Sequence, residues 1–125
     1  MKKQLVTIFA LLISQVSLAS FIQVNLVEQE EALISILTDS NGMTLYTFDV
    51  NSENQSNCHG ACLVTWPAFT TEHETLPTPF GVHLRDNGEL QVTLNGEPLY
   101  FFIGDKKIGD INGDNIGQVW HIINF

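Results

Sequence analysis

Shifted by 54 positions, the chain overlays its own pattern without a gap. Gly42, Leu45, Tyr46, Phe48 and Trp66 fall on Gly96, Leu99, Tyr100, Phe102 and Trp120, so the Tyr-to-Trp spacing is 20 residues in both copies. A repeated unit of this size cannot bury an aromatic face alone, and the nearest available cover is the other copy. The duplication therefore predicts two similar halves packed on each other. Repeat one is read over about 32–69, a linker over 70–80 and repeat two over about 81–125.

The segment before the repeats reads as an address. Lys2 and Lys3 form a positive start, Leu5 to Val16 is an apolar run, and Ser17-Leu18-Ala19 supplies the small residues of a cleavage site. Residues 1–19 are expected to be a signal peptide cut after Ala19, leaving 20–125 as one small domain. The opposing reading, an uncleaved anchor, requires about 20 predominantly apolar residues. Here Ser, Gln and Asn interrupt that stretch. No Cys follows the run to carry a lipid, so periplasmic or secreted residence without stable membrane insertion is expected.

Loss of Lys2 and Lys3 takes the formal net charge from −9 to −11. So acidic a surface disfavours nucleic acid and anionic membranes, which would both repel it. It permits cation binding without requiring it.

The local patterns are those of strands and turns. Leu33–Leu37 is followed by the turn-forming cluster Thr38-Asp39-Ser40-Asn41-Gly42 and then by Met43–Phe48, a hairpin signature. In the second copy Leu90–Leu94 alternates, Asn95-Gly96 suits a type I′ turn, and Pro98–Ile103 returns. Asp86-Asn87-Gly88 predicts another turn after Val82-His83-Leu84, and Val119–Ile123 reads as a closing strand. A single helical turn fits around His59–Val64. The fold class predicted is all-β: two tandem β-hairpin repeats around a shared aromatic core, in which Tyr46, Phe48, Tyr100 and Phe102 meet Trp66 and Trp120.

Cys58 and Cys62 lie in Cys-His-Gly-Ala-Cys. In an oxidising compartment such a pair usually forms a disulfide, here across a loop short enough to yield only about 2 kcal/mol of chain entropy. The alternatives are a redox pair or a soft metal site with His59. Thioredoxin-like pairs carry two intervening residues, whereas this one carries three. Leu63 stands where covalent haem attachment would need His.

These residues together resemble the secreted-repeat family, predicted lipoproteins carrying a Tyr-x-aromatic-x-x-Asp motif. The first half is echoed by Leu45-Tyr46-Thr47-Phe48-Asp49, Cys58-His59-Gly60-Ala61-Cys62 and Trp66-Pro67. Gly88 to Phe102, with Asp105, Gly109-Asp110, Gly113, Gly117 and Trp120-His121, echoes the second. The resemblance covers roughly 32–123. It implies organisation and location, and it supplies no activity. Asn51 stands where the motif has Asp, while Asp105 keeps it. Asp105 is expected to accept backbone N–H groups at the strand end, a role that Asn51 can share through its amide oxygen.

The residues leave two other chemistries open. Asp110, Asn112 and Asp114 alternate as calcium ligands do, but Asn115 and His121 occupy the places of the loop glycine and the bidentate Glu. His59, His73, His83 and His121 show no metal-binding spacing among themselves. Neither Gly-x-Ser-x-Gly nor His-Glu-x-x-His is present. The expected function is a non-catalytic binding or interaction module without a cofactor, recognising an envelope partner or a small ligand. The alternative is a metal- or redox-handling protein that uses Cys58, His59 and Cys62 or the acidic loop 105–114, with calcium or a transition metal.

Overall fold

Alternating and β-branched runs become strands wherever one face finds apolar cover. The computed structural model describes residues 21–51 and 55–125, so the expected signal peptide lies outside the described residues. Strands β1 (Ile22–Gln29) and β2 (Ala32–Asp39) form an antiparallel hairpin of eight paired residues. Its two-residue turn is Glu30-Glu31, both at positive φ (51° and 68°) as a type I′ turn requires. This hairpin was not predicted, because two glutamates carry none of the usual Asn-Gly signal.

The expected hairpin after β2 forms only at its turn. The Asp39 carboxylate accepts the amides of Asn41 (3.0 Å) and Met43 (2.9 Å), and Gly42 turns the chain at φ 86°. Thr38 bridges Thr44, and the Leu45 amide reaches the Leu37 carbonyl at 3.2 Å. The chain then leaves β2. Strand β3 (Tyr46–Phe48) pairs instead with the closing strand, placing repeat one against repeat two. Burial of the Tyr46 ring in the joint core outweighs continuation of the local hairpin.

After a short helix α1 (Ala61–Thr65), strand β4 (Thr70–Thr71) joins a second sheet. There β5 (Phe80–Leu84) and β4 flank β6 (Leu90–Leu94), and β7 (Glu97–Pro98) also pairs with β6. The stretch expected as linker is thus engaged at its start, where Thr70 and Thr71 pair with Gln91 and Leu90. The Asn95-Gly96 turn has φ of 52° and 85°, as its sequence predicts. β8 (Trp120–Ile122) closes the chain against β3.

Consecutive residues on an extended chain point to opposite sides, and both repeats use this at the same place. Leu45 and Leu99 enter an aliphatic cluster with Ile22, Leu37, Phe69, Phe80, Val92 and Leu94. Tyr46 and Tyr100 enter an aromatic cluster with Trp66, Trp120 and Cys58, against which Phe48 and Phe102 pack. Each Leu-Tyr step therefore stitches the two clusters together.

Candidate functional site

The motif residues converge on the contact between the repeats, and nearly every contact has a counterpart 54 residues away. The Tyr46 amide donates to the Tyr100 carbonyl at 2.8 Å, and the Tyr100 amide donates to the Tyr46 carbonyl at 3.0 Å. Trp66 and Trp120 stack with centroids 3.8 Å apart and planes 3° apart. Phe48 of repeat one stacks on Trp120 of repeat two at 4.0 Å, and Phe102 stacks on Trp66 at 4.4 Å. The result is a continuous four-ring stack, Phe48–Trp120–Trp66–Phe102. Each tyrosine meets the indole of its own repeat edge-on, at 5.4 Å for Tyr46–Trp66 and 5.2 Å for Tyr100–Trp120, an arrangement the ring quadrupoles favour. The arrangement is an internal two-fold, in which equivalent patches meet as in a symmetric dimer.

The polar ends of the tyrosines cross over as well. The Tyr46 hydroxyl donates to Asp105 Oδ2 at 2.7 Å and accepts the Gly113 amide at 3.1 Å. The other oxygen of Asp105 accepts the Asn112 amide at 2.9 Å, the strand-end role expected of it. In the other half the Tyr100 hydroxyl donates to Asn51 Oδ1 at 3.2 Å, and Asn51 Oδ1 also accepts the Asn57 amide at 2.8 Å. Ser56 Oγ lies 2.6 Å from the Tyr100 hydroxyl and accepts the Cys58 amide at 3.2 Å. Ser56 thus bridges to the backbone where Gly113 serves Tyr46 directly. Nothing in the polar run around Ser56 announces this role.

Burial shapes the electrostatics of the pair. Desolvation, then the Asp105 hydrogen bond, pushes the Tyr46 hydroxyl far above the ordinary phenol range, so it stays protonated. Asp105 is only 8% exposed. Desolvation raises its pKa, against the lowering effect of the bonds from Tyr46 and Asn112. The two tyrosine rings are fully buried. Gly113 completes the closure, because a Cβ there would lie 2.8 Å from Trp66 Cη2.

Cys58 and Cys62 form a disulfide with Cα atoms 5.4 Å apart. Cys58 is buried, and His59 beside it is exposed. A buried arginine that sequence reading missed fastens this loop to the second sheet. Arg85 donates from Nη2 to the Cys58 carbonyl and from Nη1 to Gln91 Oε1, both at 2.7 Å, and Gln91 Nε2 donates to the Leu99 carbonyl at 2.8 Å.

The candidate cation ligands are engaged elsewhere. Asp110 Oδ2 accepts the amides of Lys106 (2.8 Å) and Lys107 (3.1 Å), and Oδ1 accepts Lys107 Nζ at 2.7 Å. The bond from Lys107 lowers the Asp110 pKa, and the same bond raises that of Lys107. Asn112 Nδ2 donates to the Gly104 carbonyl at 3.3 Å. Asp114 accepts the Ile122 amide and Gln29 Nε2. Among the described residues no three His, Cys, Asp or Glu side chains gather in metal-binding range. His121 lies opposite the buried Trp120 side and meets Asp49 at 2.8 Å, which sequence reading had not paired.

Residues 35–70 and 81–124 each match a lipoprotein family model described as a secreted repeat of unknown function. The two matches coincide with the halves related by the internal two-fold. Neither a curated protein nor a solved structure matches the chain significantly.

Proposed function

The chain belongs to the secreted-repeat family of unknown function, and on that premise we propose that it is a non-catalytic binding or interaction module. It works in the periplasm or outside the cell, after cleavage following Ala19, and it recognises an envelope partner or a small ligand. The observation that carries this reading is the expenditure of the motif on the fold itself. Tyr46, Asp105, Tyr100, Asn51 and both indoles bond or stack with each other across the repeats. A sealed hydroxyl–carboxylate pair between packed rings serves cohesion, whereas recognition falls to the exposed side chains of the loops 104–118 and 55–62, Lys106, Lys107, Asn112, Asn57 and His59 among them.

The test separates this reading from redox or metal handling. A strain lacking the protein is complemented with the chain carrying Cys58→Ser and Cys62→Ser, alongside the native chain. Under the binding-module reading the folded double variant restores the phenotype. If a double variant with native near-ultraviolet circular dichroism fails to restore it, function passes to the cysteine pair. Intact mass of the chain recovered from its compartment tests the location, with Ser20 as first residue and two hydrogens missing.

A further inference from the structure

We propose that the outer edge of β1 is a self-association surface, on which a second copy of the chain pairs its own β1 antiparallel about Leu26. The inference goes beyond the reading above and does not depend on it.

The Glu30-Glu31 turn fixes which backbone groups are free. In a two-residue hairpin the flanking pair, here Gln29 and Ala32, is hydrogen-bonded across the strands, and bonding then alternates. Gln29, Val27, Asn25 and Gln23 are therefore turned towards β2. Ile22, Val24, Leu26 and Glu28 turn their N–H and C=O groups outward. Among the described residues no other segment makes a backbone hydrogen bond to β1, whose only strand partner is β2. Such a row of open donors and acceptors is a template for another strand.

Edge strands are ordinarily blunted by Pro, Lys or a bulge. β1 contains neither residue, and its register with β2 runs unbroken through eight pairs. Beside the open edge, on the face that also carries Glu28 and Ser35, two leucines stand in solvent. Leu26 is 66% exposed, and its diagonal neighbour on β2, Leu33, is 70% exposed. The base of the hairpin is anchored instead, with Phe21 against Phe69 and Phe80 and with Ile22 buried. The tip is held as well, with Gln29 Nε2 donating to Asp114 Oδ2 at 3.2 Å and Val27 buried, so β1 is tied at both ends and presents its outer edge between them.

Charge selects the occupant's direction. A parallel partner would stack the acidic tips, Glu28, Glu30 and Glu31, against their equals. Antiparallel pairing centred on Leu26 sends the two tips to opposite ends and sets Glu28 against the partner's Val24. Leu26 then lies directly opposite the partner's Leu26, covering both. The three outward residues Val24, Leu26 and Glu28 exchange roughly six backbone hydrogen bonds with their counterparts. The contact is at the small end of specific interfaces, so the dimer is weak and concentration-dependent.

The test uses protein recovered from its native compartment. Sedimentation equilibrium should show a monomer–dimer equilibrium. Amide hydrogen exchange should show protection at Val24, Leu26 and Glu28 that rises with protein concentration, while Val27 and Asn25 stay protected throughout. Leu26→Lys, at an exposed position that leaves folding intact, puts like charges face to face and should weaken the dimer roughly tenfold or more. Val24→Pro removes one outward donor and should act in the same direction. A chain that stays monomeric at the highest soluble concentration overturns the proposal, and would leave the edge to a strand of another protein. So would a dimer that leaves those three amides unprotected or that ignores Leu26→Lys.

Discussion

The Tyr46 hydroxyl of the first repeat donates to the Asp105 carboxylate of the second at 2.7 Å, 59 residues along the chain. Its counterpart, Tyr100, reaches back to Asn51 of the first repeat at 3.2 Å. The Tyr-x-aromatic-x-x-Asp motif is therefore completed across the repeats, with tyrosine and acid drawn from different copies. Each copy thus supplies the oxygen that receives the hydroxyl of the other copy's tyrosine.

The two crossings are not equally sensitive. Tyr46→Phe removes the hydroxyl that satisfies a buried carboxylate and accepts the Gly113 amide. Leaving such groups unpaired costs about 1–3 kcal/mol. Tyr100→Phe faces a neutral amide and leaves Ser56 Oγ still bonded to the Cys58 amide. Urea denaturation should rank Tyr46→Phe as the more destabilised, with unchanged m-values. Equal midpoints would contradict the assignment of the buried charge.

Acid dependence follows from the same carboxylate. Burial raises the Asp105 pKa above the ordinary carboxylate value, so between the unfolded and the folded pKa the folded chain holds a proton that the unfolded chain has released. Stability from this group is thus fully present below the unfolded pKa and falls as pH rises through the folded one. Compared with Asp105→Asn, the native chain should be relatively most stable in acid and lose that advantage with rising pH. Paired thermal melts across the acid range check it, and a difference that grows with pH would contradict it.

Much of this was legible in the sequence, and the reason is physical. The 54-residue register placed Leu45 with Leu99, Tyr46 with Tyr100 and Trp66 with Trp120, and the alternation of an extended chain then sorted them to two faces. What stayed hidden depended on distance along the chain. The β1–β2 hairpin turns on Glu30-Glu31, residues that only strand pairing forces to positive φ. The exchange of β3 from β2 to β8, and the Arg85 clamp on Cys58, join residues too remote for any local pattern to connect.

The indole pair should act as a unit. Trp66 and Trp120 stack at 3.8 Å and are nearly fully buried. A double-mutant cycle of Trp66→Leu and Trp120→Leu should show coupling of about 0.5–1.5 kcal/mol beyond the area each loses. Additive effects would mean that the stack is only proximity.

The Cys58–Cys62 bridge closes a short loop, at a sequence separation of 4. Its removal by Cys58→Ser and Cys62→Ser should cost about 2 kcal/mol on the chain-entropy account. The Arg85 bond to the Cys58 carbonyl survives that change, because it uses backbone. Arg85→Ala in the double variant should therefore destabilise further, read by the denaturation midpoint.

Gly113 offers the sharpest steric test of the sealed core. A methyl group there would meet Trp66 Cη2 at 2.8 Å, Trp66 Cζ3 at 2.9 Å and Tyr46 Cε2 at 3.0 Å. Neither ring has room to retreat, since Trp66 is held between Trp120 and Phe102 and Tyr46 is pinned by its backbone and hydroxyl bonds. The backbone cannot withdraw either without stretching the Gly113 amide bond to the Tyr46 hydroxyl. Gly113→Ala should accordingly cost about 1–3 kcal/mol, the usual range for overpacking. Gly88→Ala is the comparison for glycine at a turn with open space around it, where strain comes from φ 91° alone. If Gly113→Ala shifts the near-ultraviolet dichroism of the indoles and Gly88→Ala does not, the loss lies in ring packing. A fully tolerated Gly113→Ala would mean that the rings leave space between the repeats after all.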